Sequence, residues 1–153
     1  MKELPSSYNP ADSEDAIYEL WEESGYFNPD NLPDERTSVF SVAMPPPNVT
    51  GVLHLGHALE NALMDTAVRY QRLRGKKVLL VPGTDHAAVA TQAKVEKMLT
   101  EEGIKDPRRE LGREELLRRI REYAEQSKKT ILIQIRKMGT SCDWSRLAYT
   151  FDE

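Results

Sequence analysis

The sequence predicts an α/β fold in which helices flank an incomplete parallel sheet. Two short apolar runs carry that reading, at residues 39–44 and 78–81, with a segment of helical periodicity between them. A strand, crossover helix and second strand of this spacing bring both strand ends and the helix start to one sheet edge, where open α/β folds bind ligands. Such sheets commonly hold about four to six strands. Two convincing strands therefore imply an unfinished sheet and a chain that is part of a larger domain.

Each element has a local cause. Asp12 or Ser13 is placed to cap a helix whose Ala16, Ile17, Leu20 and Trp21 form one stripe, and Gly25 stands where a left-handed residue ends it. With the proline- and acid-rich loop from Asn28 to Arg36, this makes residues 1–36 an N-terminal helical arm. Val39 to Met44, stopped by three prolines, reads as a buried strand. From His54 to Arg74 the residues Leu59, Ala62, Leu63, Ala67, Tyr70 and Leu73 recur at helical spacing, and Gly75 closes the segment. Val78 to Val81 is the second strand, broken by Pro82-Gly83. One helix is expected over Ala87 to Glu102 and a longer one over Arg113 to Met138, directing Leu116, Leu117, Ile120, Ala124, Ile131, Ile135 and Met138 inward. Leu147 to Phe151 is the candidate third strand. The unfinished sheet edge offers unpaired backbone groups for self-association.

Composition narrows the function. The 153 residues, 39% hydrophobic and 30% charged, suit one folded domain. A net charge of -4 argues against a surface built mainly to grip nucleic acid, so any RNA contact is local. Arg108, Arg109, Arg113, Arg118, Arg119 and Arg121 are interleaved with acids and read as a solvated helix face. Cys142 is alone, the first seven residues lack the apolar core of a signal peptide, and no run reaches the roughly 18 apolar residues of a membrane span. The expected compartment is the cytoplasm, with no membrane contact.

Chemistry gathers after the first strand. His54 and His57 are three residues apart at a helix start, so both imidazoles project beside N–H groups that lack intrahelical partners. The helix dipole adds positive potential, and Gly56 removes a side chain where a phosphate or an aromatic base approaches. Pro45-Pro46-Pro47 stiffens the loop between strand and helix. Bland readings stand beside these: surface histidines, and a rigid connector or proline ligand. A zinc site from His54, His57, Asp85 and His86 is the rival chemistry, without the glutamate of a His-Glu-x-x-His helix.

Residues Pro45 to Gly51, His54-Leu55-Gly56-His57-Ala58-Leu59 and Val81-Pro82-Gly83-Thr84-Asp85-His86-Ala87 resemble the first signature regions of class I valyl-tRNA synthetases. Ala93 to Glu102, Leu111 to Glu114, Thr140 to Arg146 and Asp152-Glu153 are also similar to that family. Isoleucyl and leucyl relatives share the histidine signature but differ in the proline loop and around the aspartate. The resemblance implies a Rossmann-like sheet, the first half of a class I synthetase catalytic domain, with residues 37–153 as its nucleotide-binding part.

It further implies that His54 and His57 contact the ATP phosphates and that Gly56 lies under adenine. Asn48, Thr50 and Gly51 would line the nucleotide side, Pro45 and Pro46 would flank the valine side chain, and Asp85 would receive the valine ammonium group. ATP with Mg²⁺, valine and tRNA(Val) are the implied cofactors and partners, with little of the tRNA contact coming from these residues. A module that binds ATP and valine without turnover is the alternative. Two departures stand out. Lys137-Met138-Gly139-Thr140-Ser141 imitates the family's lysine-rich loop, yet Gly139 reads as a helix stop, and Ala88 occupies a position expected to be glycine.

Overall fold

The computed structural model describes residues 7–152; the opening residues 1–6 and the terminal Glu153 lie outside them. Val39–Ala43 (β1) and Lys77–Val81 (β2) pair in parallel, Val39 opposite Lys77 through Ala43 opposite Val81, and Leu55–Leu73 (α2) crosses between them. Beyond Pro82 the chain stays extended as Gly83–Thr84 (β3), which pairs in parallel with Ala148–Tyr149 (β4). Two backbone bonds continue that line: Asp143 N–H donates to Leu80 O at 2.9 Å and Ala148 N–H to Pro82 O at 3.2 Å. Of the expected strand over Leu147 to Phe151 only Ala148–Tyr149 is extended, and it pairs with β3 in a second two-stranded sheet rather than with β1 or β2. Asp152 ends it by accepting the Tyr149 N–H at 2.8 Å and donating its own N–H to Tyr149 O at 2.9 Å, which closes a turn.

One face of the sheet is covered. Val78 and Leu80 are buried with Val68 of α2 and with Ala124, Ile131 and Ile135 of Gly112–Lys137 (α5), and half-buried Met64 of α2 packs against them. Phe40 and Val42 of β1 lean onto this cluster, while Val39, Ser41 and Ala43 on the other face stay exposed. Ala88–Glu101 (α3) packs on the first half of α5 through a second cluster of Val95, Leu99, Leu116 and Ile120. Between them lies a helix the sequence reading missed, Pro107–Glu110 (α4). Its signal was Asp106-Pro107: the Asp106 carboxylate accepts the Arg109 N–H, and proline suits a first helical turn. Gly139, with φ +72, ends α5 as a helix stop. Of the seven inward positions expected on α5, Leu117 is exposed and Met138 half-buried, and the other five are buried.

Two helices turn a different face inward from the one their apolar spacing suggests. In α2, Leu59, Leu63, Tyr70 and Leu73 are 62%, 65%, 55% and 88% exposed, whereas Asn61, Asp65 and Val68 are buried. The cause is the turn after α5, whose backbone groups need partners away from water. Asp65 accepts the Ser141 N–H and hydroxyl, Asn61 Oδ1 accepts the Thr140 hydroxyl at 3.0 Å, Arg69 donates to Gly139 O, and Arg72 donates to Ser141 O at 2.7 Å. Polar residues win the inner face because the surface they meet is polar.

The helix Glu14–Glu23 (α1) shows the same logic. Ser13 takes the cap position without a side-chain bond, and Gly25 follows the helix at φ +70. Its anchor is Tyr18 rather than the expected stripe, since Ile17, Leu20 and Trp21 are exposed. The Tyr18 hydroxyl donates to Thr140 O at 2.7 Å and accepts Trp144 Nε1–H at 2.8 Å. Trp144 in turn carries the Arg136 guanidinium 3.8 Å above its ring, and Cys142 is fully buried.

Among the arginines of α4 and α5, Arg108 pairs with Glu96, Arg109 with Asp106, Arg118 with Glu115 and Glu122, and Arg119 with Glu115. No helix among the described residues is long and apolar enough to cross a membrane.

Candidate active site

The loop leaving β1 builds the site. Val49 is fully buried and pins the loop to the core. Asn48 and Asp85 form a parallel bridge, with Asp85 N–H donating to Pro47 O at 2.8 Å and Val49 N–H to Asp85 O at 2.9 Å. From α5, Tyr123 donates its hydroxyl to Thr50 O at 2.8 Å and Gln134 Oε1 accepts the Leu53 N–H at 2.9 Å. Neither residue was singled out in the sequence, because nothing local to them points to a loop more than one element away.

The histidines cap α2 reciprocally. His54 Nδ1 accepts the Gly56 N–H at 3.1 Å, and His57 Nδ1 accepts the His54 N–H at 3.2 Å. An Nδ1 that accepts leaves the neutral ring's proton on Nε2, so each imidazole keeps one N–H donor free of the backbone. The rings lie 3.9 Å apart, tilted 33°. Gly56 has a cause the sequence did not reveal: a Cβ there would sit 2.8 Å from His54 Cε1. Only glycine lets the His54 ring fold over the helix start.

A cleft of about 440 Å³ gathers Pro45, Pro46, Asn48, Thr50, Gly51, His54 and His57, seven of the candidate residues, together with Pro47, Val52, Leu53 and Glu60. Gly56 and Asp85 do not line it. Asp85 stands at its border through the bridge to Asn48. Glu60 was not anticipated; it follows His57 by three positions, hence on the same helix face. A larger groove of about 670 Å³ runs between α1 and the end of α5, lined by side chains such as Ile17, Trp21 and Ile133. It is the bigger space, but the smaller cleft is where imidazoles, an amide, a hydroxyl and a helix N-terminus converge. Among the described residues no three His, Cys, Asp or Glu side chains gather as a metal site, so the four groups of the zinc reading do not come together.

The end of β3 holds Asp85 tightly. Its Oδ1 accepts the Thr150 hydroxyl at 2.7 Å and the Ala87 N–H at 3.0 Å. The Thr150 hydroxyl above all, and then the Ala87 N–H, hold the carboxyl below the usual carboxylate range, because both donate to the ionised form. His86 donates its N–H to Thr150 Oγ1 at 2.8 Å, shares a 2.6 Å bond between Nδ1 and the Tyr149 hydroxyl, and stacks on Phe151 at 4.7 Å.

The turn into α3 is strained at Ala87, with φ +46 and ψ 52, while Ala88 is an ordinary first helical residue. The departure noted in the sequence therefore falls one residue beside the position that needs glycine. Ala87→Gly is expected to stabilise the chain by about 0.5–1 kcal/mol, since a left-handed backbone costs alanine roughly 1–2 kcal/mol and flexible glycine gives part of that back in unfolded-state entropy. Thermal unfolding followed by circular dichroism checks it, and a lowered midpoint would contradict it.

Short parallel strands with flanking helices define an α/β fold, and comparison with known proteins gives it a family. The profile of tRNA synthetases class I (I, L, M and V) matches residues 16–153, and the chain belongs to that family. Within it, the similar relatives are valine-tRNA ligases. That of Psychrobacter arcticus is 48% identical over 153 residues, 100% of this chain and 15% of the relative. That of Carboxydothermus hydrogenoformans is 50% identical over 98% of this chain and 16% of its own. The chloroplastic/mitochondrial valine-tRNA ligase 2 of Arabidopsis thaliana is 52% identical over 92% of this chain and 14% of its own. The chain thus spans about one sixth or less of the length of the relatives it matches. The LeuRS of Agrobacterium radiobacter K84, solved with tRNA and LeuAMS, shares the fold: TM-score 0.73, 21% identity, covering 95% of this chain and 16% of that one.

Proposed function

We propose that this chain is the amino-acid-activating part of a valine-tRNA ligase. On this reading residues 37–153 belong to the nucleotide-binding catalytic domain and residues 1–36 are its N-terminal arm, of which α1 is anchored through Tyr18. The observation that carries the reading is the cleft, where Pro45, Pro46, Asn48, Thr50, His54 and His57 meet with Asp85 bridged to its border.

His54 and His57 present Nε2–H donors to the ATP phosphates, aided by the positive end of the α2 dipole. Asn48, Thr50 and Gly51 line the nucleotide side, and Gly56 underlies adenine. Pro45 and Pro46 flank the valine side chain, and the ionised Asp85 accepts its ammonium group. The valine carboxylate attacks the ATP α-phosphorus, the bond to the bridging oxygen breaks, and pyrophosphate leaves. The nucleophile is already an anion, so no general base is required, and placement and charge stabilisation lower the barrier. The activated valine then passes to the 3′ end of tRNA(Val), with little tRNA contact from these residues.

Mg²⁺ fits this cleft as an ion carried by the nucleotide. Glu60 is the one carboxylate in the lining, and magnesium is commonly held by one or two carboxylates together with phosphate oxygens and water. When bound it neutralises phosphate charge.

Valine-dependent exchange of labelled pyrophosphate into ATP is the test. Exchange supports the assignment; its absence in an intact ligase carrying this segment overturns it. For the 153 residues alone, a module that binds ATP and valine without turnover is the second reading, favoured by the chain's small share of its relatives' length. ATP binding without exchange identifies it.

The exposed outer face of β1 and the apolar outer face of α2 support self-association of the isolated chain. Sedimentation velocity across concentration reads this, and a monomer at every concentration excludes it. The cytoplasm is the compartment that suits this function.

A further inference from the structure

Thr150 makes an arrangement that the reading above leaves unassigned. Its Oγ1 accepts the His86 N–H and donates to Asp85 Oδ1, while its own N–H donates to Thr84 O at 3.2 Å. A hydroxyl has a single proton, so with that proton on the carboxylate the direction of the bond is set. The Ala87 N–H reaches the same oxygen. Both donors thus converge on Oδ1, and among the described residues no hydrogen bond is made to Oδ2.

A free aspartate side chain turns about two bonds; this one is held at one oxygen by groups from two directions. Thr150 lies 65 residues from Asp85 in sequence, so the clamp exists only while the 148–151 segment is docked. Docking does not rest on Thr150 alone. The β3–β4 pairing, the bond between Tyr149 and His86, and the stacking of Phe151 on His86 hold the same segment. Charged and titratable groups around it are His86, Tyr149 with the Lys128 ammonium 4.5 Å above its ring, and Asp152.

We infer that Thr150 is a positioning residue for Asp85: its hydroxyl engages Oδ1 and leaves Oδ2 presented to the ammonium group of an amino-acid ligand. The inference rests on the reading that Asp85 receives that group. The lowered proton affinity of Asp85 agrees with it, since the carboxylate remains ionised for a cation.

The test measures binding of L-valine, and of 3-methylbutanoate as the same skeleton without the ammonium group, to the whole chain by NMR titration. Thr150→Val, which keeps the shape and removes the hydroxyl, is expected to weaken L-valine binding by about ten- to hundredfold and to leave 3-methylbutanoate binding unchanged. Thr150→Ser is expected to restore L-valine binding. Equal loss of both ligands, unaltered L-valine binding in Thr150→Val, or no rescue by serine overturns the inference. Thr150→Ala is read in the same way, so a folding failure of the valine variant leaves the outcome decided. Asp85→Asn separates the two levels. If it binds L-valine as the parent does, the role of Asp85 fails and that of Thr150 with it; if it loses binding while Thr150→Val does not, only the positioning role fails.

Discussion

Replacing His57 with alanine is expected to lower valine-dependent pyrophosphate exchange by about 10²–10³-fold, the usual effect of deleting one donor aimed at transition-state charge. The His57 ring does two separable things. Through Nδ1 it accepts the His54 N–H, and through Nε2–H it offers a donor to the cleft. Alanine removes both, but the His54 ring still accepts the Gly56 N–H, so the helix start keeps its principal cap. Loss of the second cap costs only about 0.5–1 kcal/mol, and the variant is expected to fold. The loss is expected in kcat, with KM for valine little altered, because the proposed role of His57 is to meet phosphate charge that grows as the reaction proceeds. Exchange at the parent rate in the folded variant would remove the histidine pair from the mechanism.

The second large effect is on stability. Asp65→Ala is expected to destabilise the chain by about 3 kcal/mol or more. The Asp65 carboxylate accepts the Ser141 N–H at 2.9 Å and the Ser141 hydroxyl, and pairs with Arg69 at 2.6 Å. Arg69 is substantially exposed and contributes little of that figure. The cost arises because a buried N–H and hydroxyl lose their acceptor and the Arg72 guanidinium loses its nearby anion. Burial already draws the Arg72 pKa down, with Asp65 as the chief opposing influence. Urea denaturation measures the difference, and a change below about 1 kcal/mol would show that this polar seam is not what fixes α2 to the turn.

The same seam explains where reading the sequence stopped short. The paired strands β1 and β2, the crossover helix and the long helices were legible, because apolar periodicity and Gly and Pro punctuation act over a few residues; the two-residue β3 after Pro82 was not. The candidate cleft was legible for the same reason: the proline loop, Asn48, Thr50 and the histidine pair are contiguous, and a strand leading into a helix brings contiguous residues to one edge. The inner face of α2 was not legible. Spacing finds an apolar stripe but says nothing of the partner, and here the partner is a turn with polar backbone to satisfy. Tyr18 was hidden likewise, since its partners Thr140 and Trp144 lie 122 and 126 residues away.

Glu60 was local and still escaped notice, because a charged residue on a helix surface is ordinary until a cleft forms beside it. Position 87 shows the converse. The sequence marks a missing glycine at 88, but only the backbone shows that the left-handed residue is Ala87.

By itself, then, the order of residues determines the elements, the parallel crossover and the place where chemistry collects, since each depends on interactions within one strand, loop or helix turn. Tertiary structure alone decides which helix faces are inside, that the Gly56 position is shaped by the His54 ring, and that Asp85 is gripped by Thr150. The inner helix faces and the grip on Asp85 depend on groups tens of residues apart meeting in space, where a polar atom removed from water takes whichever partner the fold brings within reach; the Gly56 contact is local but depends on how the His54 ring folds back over the helix start.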